Sequence, residues 1–252
     1  MNNPYETFKV FITAMDCEQD AIVEGFHKDK TISKLSFTEY NFQKNAMIYR
    51  GGHHSWILIN SGVGPVNVSM TLSAIFNKYQ ITSVFLFGVG GALSSKIEQG
   101  DYFIGSTIVD QDAIYYGESI EKMGTGRPYL SLNDEEKNKN KDYRVQPRTI
   151  ELFKMFCERN HLSYKKGKVL SGGSFVNNLE RRKYLNKTFK ADFVEMEAAA
   201  CAYVCSHFHV DFGVMKICSD DLAGDKEQYI DFIKENIDNI YPLFKFLDEV
   251  SI

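Results

Sequence analysis

Five runs of β-branched, aromatic and aliphatic residues constrain this chain more than any other feature: FKVFIT (8–13), SWILIN (55–60), ITSVFLF (81–87), DYFIGSTIV (101–109) and FGVMKIC (212–218). Each has the length of a strand, and each is mostly continuous rather than alternating. A strand with one wet face alternates apolar and polar residues, whereas a continuous run belongs to a strand covered on both faces. Helical periodicity fills the intervals. Val68, Leu72, Phe76 and Tyr79 recur at helix spacing after NSGVGPV, and Ile150, Phe153 and Cys157 do so after Pro147. Ile230, Ile233, Ile237, Phe244 and Leu247 mark a terminal helix that Pro242 should bend or interrupt. Strands alternating with helices predict an α/β fold in which helices cover both faces of a mainly parallel or mixed central sheet. Ligands bind such sheets beyond the carboxyl ends of the strands.

Length alone allows one or two domains at 252 residues. Without an internal repeat or a linker, residues 1–252 read as a single domain. Its clear interruption is SLNDEEKNKNKDYR (131–144), a solvated insertion loop or an active-site lid. With 44% hydrophobic and 25% charged residues, the chain can bury a core of ordinary size. A net charge of −4 lacks the basic excess that drives nucleic-acid binding. The N-terminus MNNPYETFKVFITAM has no basic region followed by an apolar run, and no segment reaches membrane-spanning length. Cys17, Cys157, Cys201, Cys205 and Cys218 are odd in number and scattered, which argues against disulfides and for a reducing compartment, so the cytoplasm is expected. The pairs His53–His54 and His207–His209 lack a convergent third ligand, so no metal is expected.

Several strands run directly into glycines or carboxylates. FLFGVGGAL (85–93) places Gly88, Gly90 and Gly91 after a strand, where backbone can approach a ligand or simply turn; it is not the dinucleotide fingerprint. NSGVGPV (60–66) repeats the design with Gly62 and Gly64. ITAMDCEQDA (12–21) sets Asp16, Glu18 and Asp20 at a helix start, where acids also complement the helix dipole. KICSDDLAGD (216–225) ends a strand in Asp220 and Asp221, where a helix cap is the alternative. FVEMEAAACAYVC (193–205) is harder to explain structurally. In an extended segment Glu195 and Glu197 share a side; on a helix they diverge by about 200°. Two carboxylates at the edge of a buried segment require polar partners, of which a ligand bearing hydroxyls is one.

These motifs, in order, resemble the nucleoside phosphorylase and nucleosidase superfamily, and within it the 5'-methylthioadenosine/S-adenosylhomocysteine nucleosidases: ITAMDCE, SGVGPV, FGVGGAL, QGDYFIGS, LSGGSFV, VEMEAAACAYVC and KICSDDLAGD. The resemblance spans most of the chain and is most specific where VEMEAAA precedes SD. It implies a three-layer nucleoside phosphorylase-like fold, a small-molecule purine nucleoside as ligand, no cofactor, and hydrolysis of the bond between adenine and ribose. It makes Glu18 the residue that polarises the attacking water, Glu197 the ligand of the ribose hydroxyls, and Asp220 the group that protonates or hydrogen-bonds purine N7. Met196 is placed against the sugar, Phe175 and Val176 beside the base, and Val63 near the 5' substituent. Ala14, Val89 and Ser219 join the substrate contacts. Glu195 joins them as a supporting group or a contact to ordered water. The resemblance also implies a homodimer in which a neighbour's apolar side chain closes part of the 5' pocket. The chain departs from the family pattern at Gly173, where an acid is common, at Val89, where a serine is usual, at Asp110-Gln111-Asp112 in place of Tyr-His-Asp, and in the length of 131–144.

The chemistry of N-glycoside cleavage fits these roles. Positive charge develops on the ribosyl ring and negative charge on the departing base, so a carboxylate near the ring and a carboxylic acid at the base both lower the barrier. Two rivals remain: a phosphate-dependent purine nucleoside phosphorylase of the same fold, for which Arg50 and Arg127 are the candidate phosphate ligands, and a nucleoside-binding or storage protein without turnover.

Overall fold

The computed structural model describes residues 6–29, 35–40, 43–50, 53–112, 114–115, 124–125, 142–224, 226–236 and 240–250. Residues 131–141 of the polar insertion, and Arg127, lie outside the described residues.

The first half of the chain forms β1 (Thr7–Thr13), α1 (Asp16–Lys28), β2 (Leu35–Tyr40), β3 (Gln43–Tyr49), β4 (Trp56–Asn60), α2 (Pro65–Lys78), β5 (Gln80–Ala92) and β6 (Tyr102–Asp110). The short β7 (Ile114–Tyr115) and β8 (Gly124–Thr125) pair with each other, and β9 (Tyr143–Arg144) pairs with β6. Then come α3 (Pro147–Arg159), β10 (Tyr164–Ser171), α4 (Leu179–Phe189), β11 (Phe193–Glu195), α5 (Ala198–His207), β12 (Asp211–Asp220), α6 (Lys226–Asn236) and α7 (Ile240–Glu249). All five expected runs are strands. The sheet runs β11-β10-β6-β12-β5-β1-β4-β3-β2 and is mixed: β1 is parallel to β4 and β5, and β12 is parallel to β5 but antiparallel to β6. An additional antiparallel pairing of β11 with the far end of β5 closes five strands into a ring.

The continuous apolar runs now have a cause. Val10 and Ile12 of β1, Ile57 and Ile59 of β4, and Val84 and Leu86 of β5 pack with α2 and α5 on one face. Phe11, Trp56, Leu58, Phe85 and Phe87 point to the other face, against α1, α3 and α7. Both sides of these strands are dry, so period-2 alternation has no polar partner.

Two expectations change. The glycines of FLFGVGGAL do not follow a strand; they lie within β5, which continues to Ala92 while pairing with β12 and β11. Pro242 does not interrupt a helix midway. It falls in the first turn of α7, where its missing N–H has no intrahelical acceptor to lose, and α6 ends earlier, at Asn236.

One buried residue weakens this core. Lys9 of β1 is 7% exposed, its Nζ has no hydrogen-bond partner among the described residues, and it lies 5.5 Å from the Trp56 ring centre. Burial lowers its ammonium to about 8, against the attraction of Asp248 and with repulsion from Arg148. Because the folded value lies below the ordinary 10.5, the penalty is fully present below pH 8 and fades as pH rises toward 10.5. Lys9→Met is therefore expected to stabilise the protein by about 1–2 kcal/mol at pH 7, after discounting for screening. Denaturant titrations at pH 7 and pH 10 check this; an equal gain at both would show that the charge is not the cause.

Candidate active site

The eleven residues that the resemblance assigned to catalysis and substrate contact line one cleft. It opens beyond the carboxyl ends of β1, β4, β11 and β12 and beside the glycine-rich end of β5.

After β1 the chain passes through Ala14 and Met15 into α1, whose first turn carries Glu18. Glu18 Oε2 accepts hydrogen bonds from Ala14 N (2.8 Å) and Met15 N (3.0 Å), and Oε1 accepts one from Val89 N (3.2 Å). The carboxylate thus caps α1 and also joins β1 to β5. Gly88 makes the approach possible, since a Cβ there would stand 2.5 Å from Glu18 Oε1. Burial pushes the Glu18 carboxyl above its ordinary value; Lys216 and the Ala14 and Met15 N–H groups pull it down, and Glu197 pushes it further up. Asp16, by contrast, accepts from Asn60 Nδ2 at 2.8 Å on the exposed side of the turn.

Glu195 is the last residue of β11 and Glu197 is the N-cap position of α5, so neither the all-strand nor the all-helix arrangement applies. Glu195 accepts from Glu197 N (3.0 Å) and Ala198 N (2.9 and 3.0 Å), meeting the unpaired N–H groups of the helix start. Glu197 Oε1 accepts from Gly64 N at 2.9 Å. Gly64 holds φ +96°, a region that favours glycine, and Pro65 follows as the first residue of α2.

The cation that joins these acids escaped the sequence reading. Lys216 of β12 is 1% exposed, and its Nζ lies 3.1 Å from Glu197 Oε2 and 3.4 Å from Glu195 Oε2. Burial works to lower its pKa, but Glu197, Glu195 and Glu18 outweigh that and raise it. Its signal was present: it is the single charge in FGVMKIC, an otherwise apolar run.

The same cleft holds Asp220, the last residue of β12. Ser219 Oγ lies 2.7 Å from Asp220 Oδ1 and 3.0 Å from Gly90 O. Arg182 of α4, also missed, is buried and donates to Asp220 Oδ2. The helix-cap alternative fits neither acid: α6 begins only at Lys226, and Asp221 Oδ1 accepts from Ala223 N at 2.9 Å within the turn before it. Phe175 and Val176 line the cleft as well, and Phe175 meets the Tyr229 ring of α6 edge-on with centres 5.4 Å apart. Tyr229 is a third missed residue; its hydroxyl donates to Met15 Sδ at 3.2 Å, and burial pushes its phenol up to about 12. Neither Arg182, one of many charges in LERRKYLNK, nor Tyr229 had a distinguishing pattern. Val63 stands at the open edge, 47% exposed.

Arg50, a candidate phosphate ligand, is bound elsewhere. Its Nε and Nη2 lie 2.5 and 3.1 Å from the Glu6 carboxylate, near the amino end of β1.

Residues 10–245 match the family model described as Phosphorylase superfamily. The chain belongs to the phosphorylase superfamily. Among curated members, it is 32% identical over 196 residues to the 5'-methylthioadenosine/S-adenosylhomocysteine nucleosidase of Buchnera aphidicola subsp. Acyrthosiphon pisum (strain Tuc7), covering 77% of this chain and 78% of that one. The protein of the same name from Staphylococcus haemolyticus is 27% identical over 210 residues, covering 81% and 86%. Two solved structures share this superfamily fold at TM-score 0.80 and 22% identity. They are the futalosine hydrolase of Helicobacter pylori (97% of this chain, 98% of that one) and the Helicobacter pylori 5'-methylthioadenosine/S-adenosylhomocysteine nucleosidase bound to a pyrrolidine compound (98% and 100%). The sheet and flanking helices expected from the sequence are those of the superfamily.

Proposed function

We infer that the protein is a purine nucleosidase that hydrolyses 5'-methylthioadenosine, S-adenosylhomocysteine or both, releasing adenine and the 5-thio-substituted ribose. The observation that carries this reading is the grouping of Glu18, Glu197 and Asp220, from three separate elements, in one cleft of a chain whose curated relatives bear that activity in their names. Asp220 gives its proton to purine N7 as the C1'–N9 bond breaks and the bonding pair passes to the base. Glu197 holds the ribose hydroxyls, and its charge offsets the cation forming on the ring. Water adds to C1' while Glu18 takes its proton, a task suited to a carboxylate whose proton affinity burial has raised. Glu195 supports from behind, with both oxygens committed to α5. Adenine and a thioribose product place the enzyme in methionine salvage.

Water is favoured over phosphate by charge. Glu18, Glu195 and Glu197 surround one ammonium, Lys216, that is already paired, and Arg182, the arginine lining the cleft, is engaged by Asp220. Among the described residues, a phosphate dianion in the cleft would meet carboxylates without a free guanidinium. The expected result is adenine release from 5'-methylthioadenosine in phosphate-free buffer; strict dependence on added phosphate overturns it. The futalosine hydrolase fold match supports a second reading, hydrolysis of another purine nucleoside, so the assay includes a panel of such nucleosides with the released base identified.

The homodimer also belongs to this reading. Val66 and Met70 of α2, Tyr203 of α5 and Phe208, the C-cap of α5, are exposed apolar side chains, and Phe76 of α2 stacks on Phe208. Val63, at the mouth of the cleft, continues the α2 stripe. Pairing across this face covers it and supplies a neighbour's apolar side chain to the 5' end. Sedimentation should show a dimer, and Val66→Glu with Met70→Glu should give a monomer with raised KM; a wild-type monomer of full activity rejects the arrangement. Free thiols at all five cysteines support work in the cytoplasm. Among the described residues no helix is long and apolar enough to cross a membrane.

A further inference from the structure

The base end of the cleft holds a cation that the reaction above leaves unused. Arg182 is 2% exposed, and its guanidinium donates to Asp220 Oδ2, to Val176 O from Nε (3.1 Å) and Nη2 (3.0 Å), and to Asp221 O from Nη1. Val176 and Asp220 line the part of the cleft that the reaction above gives to the base, and Asp221 follows directly. The pair lies against β5 at Gly91, where a Cβ would stand 3.2 Å from both Arg182 Nη2 and Asp220 Oδ2. A buried ion pair is a poor way to stabilise a fold, because desolvation opposes the attraction. A fixed positive charge touching the group that serves the leaving base calls for a functional account.

We propose that Arg182 is a positioning residue for departure of the purine, fixing the Asp220 carboxyl in one orientation and stabilising the carboxylate that remains after proton transfer. The proposal rests on Asp220 as the acid at N7. As the Asp220 O–H bond breaks and N7–H forms, the C1'–N9 pair moves to the purine. The negative charge left on Asp220 then appears in contact with the guanidinium. Arginine suits the place better than lysine, since its planar fork can hold Asp220, Val176 O and Asp221 O at once. A base that departs as a stable anion, without a proton, has no need of this arrangement.

That difference gives the test. Wild type, Arg182→Gln, Arg182→Lys, Asp220→Asn and the Arg182→Gln/Asp220→Asn double variant are assayed on 5'-methylthioadenosine and on a 5-methylthioribofuranoside whose leaving group is 4-nitrophenolate. Arg182→Gln should lower kcat on the nucleoside by about 100-fold and leave the nitrophenyl substrate within the same order of magnitude. In the Asp220→Asn background the arginine change should add no further loss. Arg182→Lys, which keeps the charge, should recover part of the rate and show the same substrate contrast if the glutamine variant fails to fold. Parallel losses on both substrates, or additive losses in the double variant, overturn the proposal. A wild-type protein that releases no adenine strikes the nucleosidase reading instead.

Discussion

Glu18→Gln is expected to lower kcat on 5'-methylthioadenosine by about 10³-fold while leaving the protein folded. Glutamine has the same shape, and its oxygen can still accept from Ala14 N and Met15 N, so the start of α1 keeps its cap. What disappears is the negative charge, the ability to take a proton and the acceptor for Val89 N. The pH dependence gives an independent check. Burial holds the Glu18 carboxyl above 4.5, and a base works only when ionised, so wild-type kcat should fall on the acid side at a pH above that ordinary value. The residual rate of the glutamine variant should lack this limb. Steady-state rates across pH 4–9, with thermal melts of both proteins, decide the matter. A variant that retains wild-type kcat, or the same acid limb, removes Glu18 from the role of base.

The fold was legible in the sequence where physics leaves a local trace. Strands buried on both faces read as continuous apolar runs, and Val10 and Phe11 fill opposite cores as that reading requires. β10 left no such trace: YKKGKVLS carries three lysines, and its strand conformation comes from pairing with β6 and β11 rather than from its own residues. The glycines at 88, 90 and 91 read as the end of β5, yet backbone pairing carries the strand through them. In the site, the carboxylates were legible because acids at strand ends are costly and stand out. Their cations were less so. Lys216 could be suspected from its apolar surroundings, but its meeting with Glu195 and Glu197 depends on two strands and a helix start converging in space. Arg182 sits on a polar helix whose sequence distinguishes it in no way from Arg181, which is exposed.

Removing Lys216 should do the greatest damage to stability. In Lys216→Met the side chain keeps its length, but the Glu195 and Glu197 carboxylates, both buried, lose the ammonium they share. Breaking a buried charge cluster by deleting one partner costs about 3–5 kcal/mol, because the remaining charges stay out of water without compensation. The loss should depend on pH in a stated direction. Burial already raises the Glu195 carboxyl, with Lys216 pulling it down and Glu197 pushing it further up; without Lys216 it rises more. A carboxyl raised in the folded state is no burden while protonated, so the variant should stand closest to wild type below about pH 4.5 and lose stability as pH rises through the folded value. Adding Glu195→Gln to Lys216→Met removes one of the stranded charges and should restore part of the loss at pH 7. Urea titrations of the three proteins at pH 5 and pH 7 test this. A loss equal at both pH values, or no recovery on adding Glu195→Gln, would mean that Lys216 acts through packing. If the charge account holds, Glu197 keeps only its hydrogen bond from Gly64 N, and the KM for nucleoside rises together with the loss of stability.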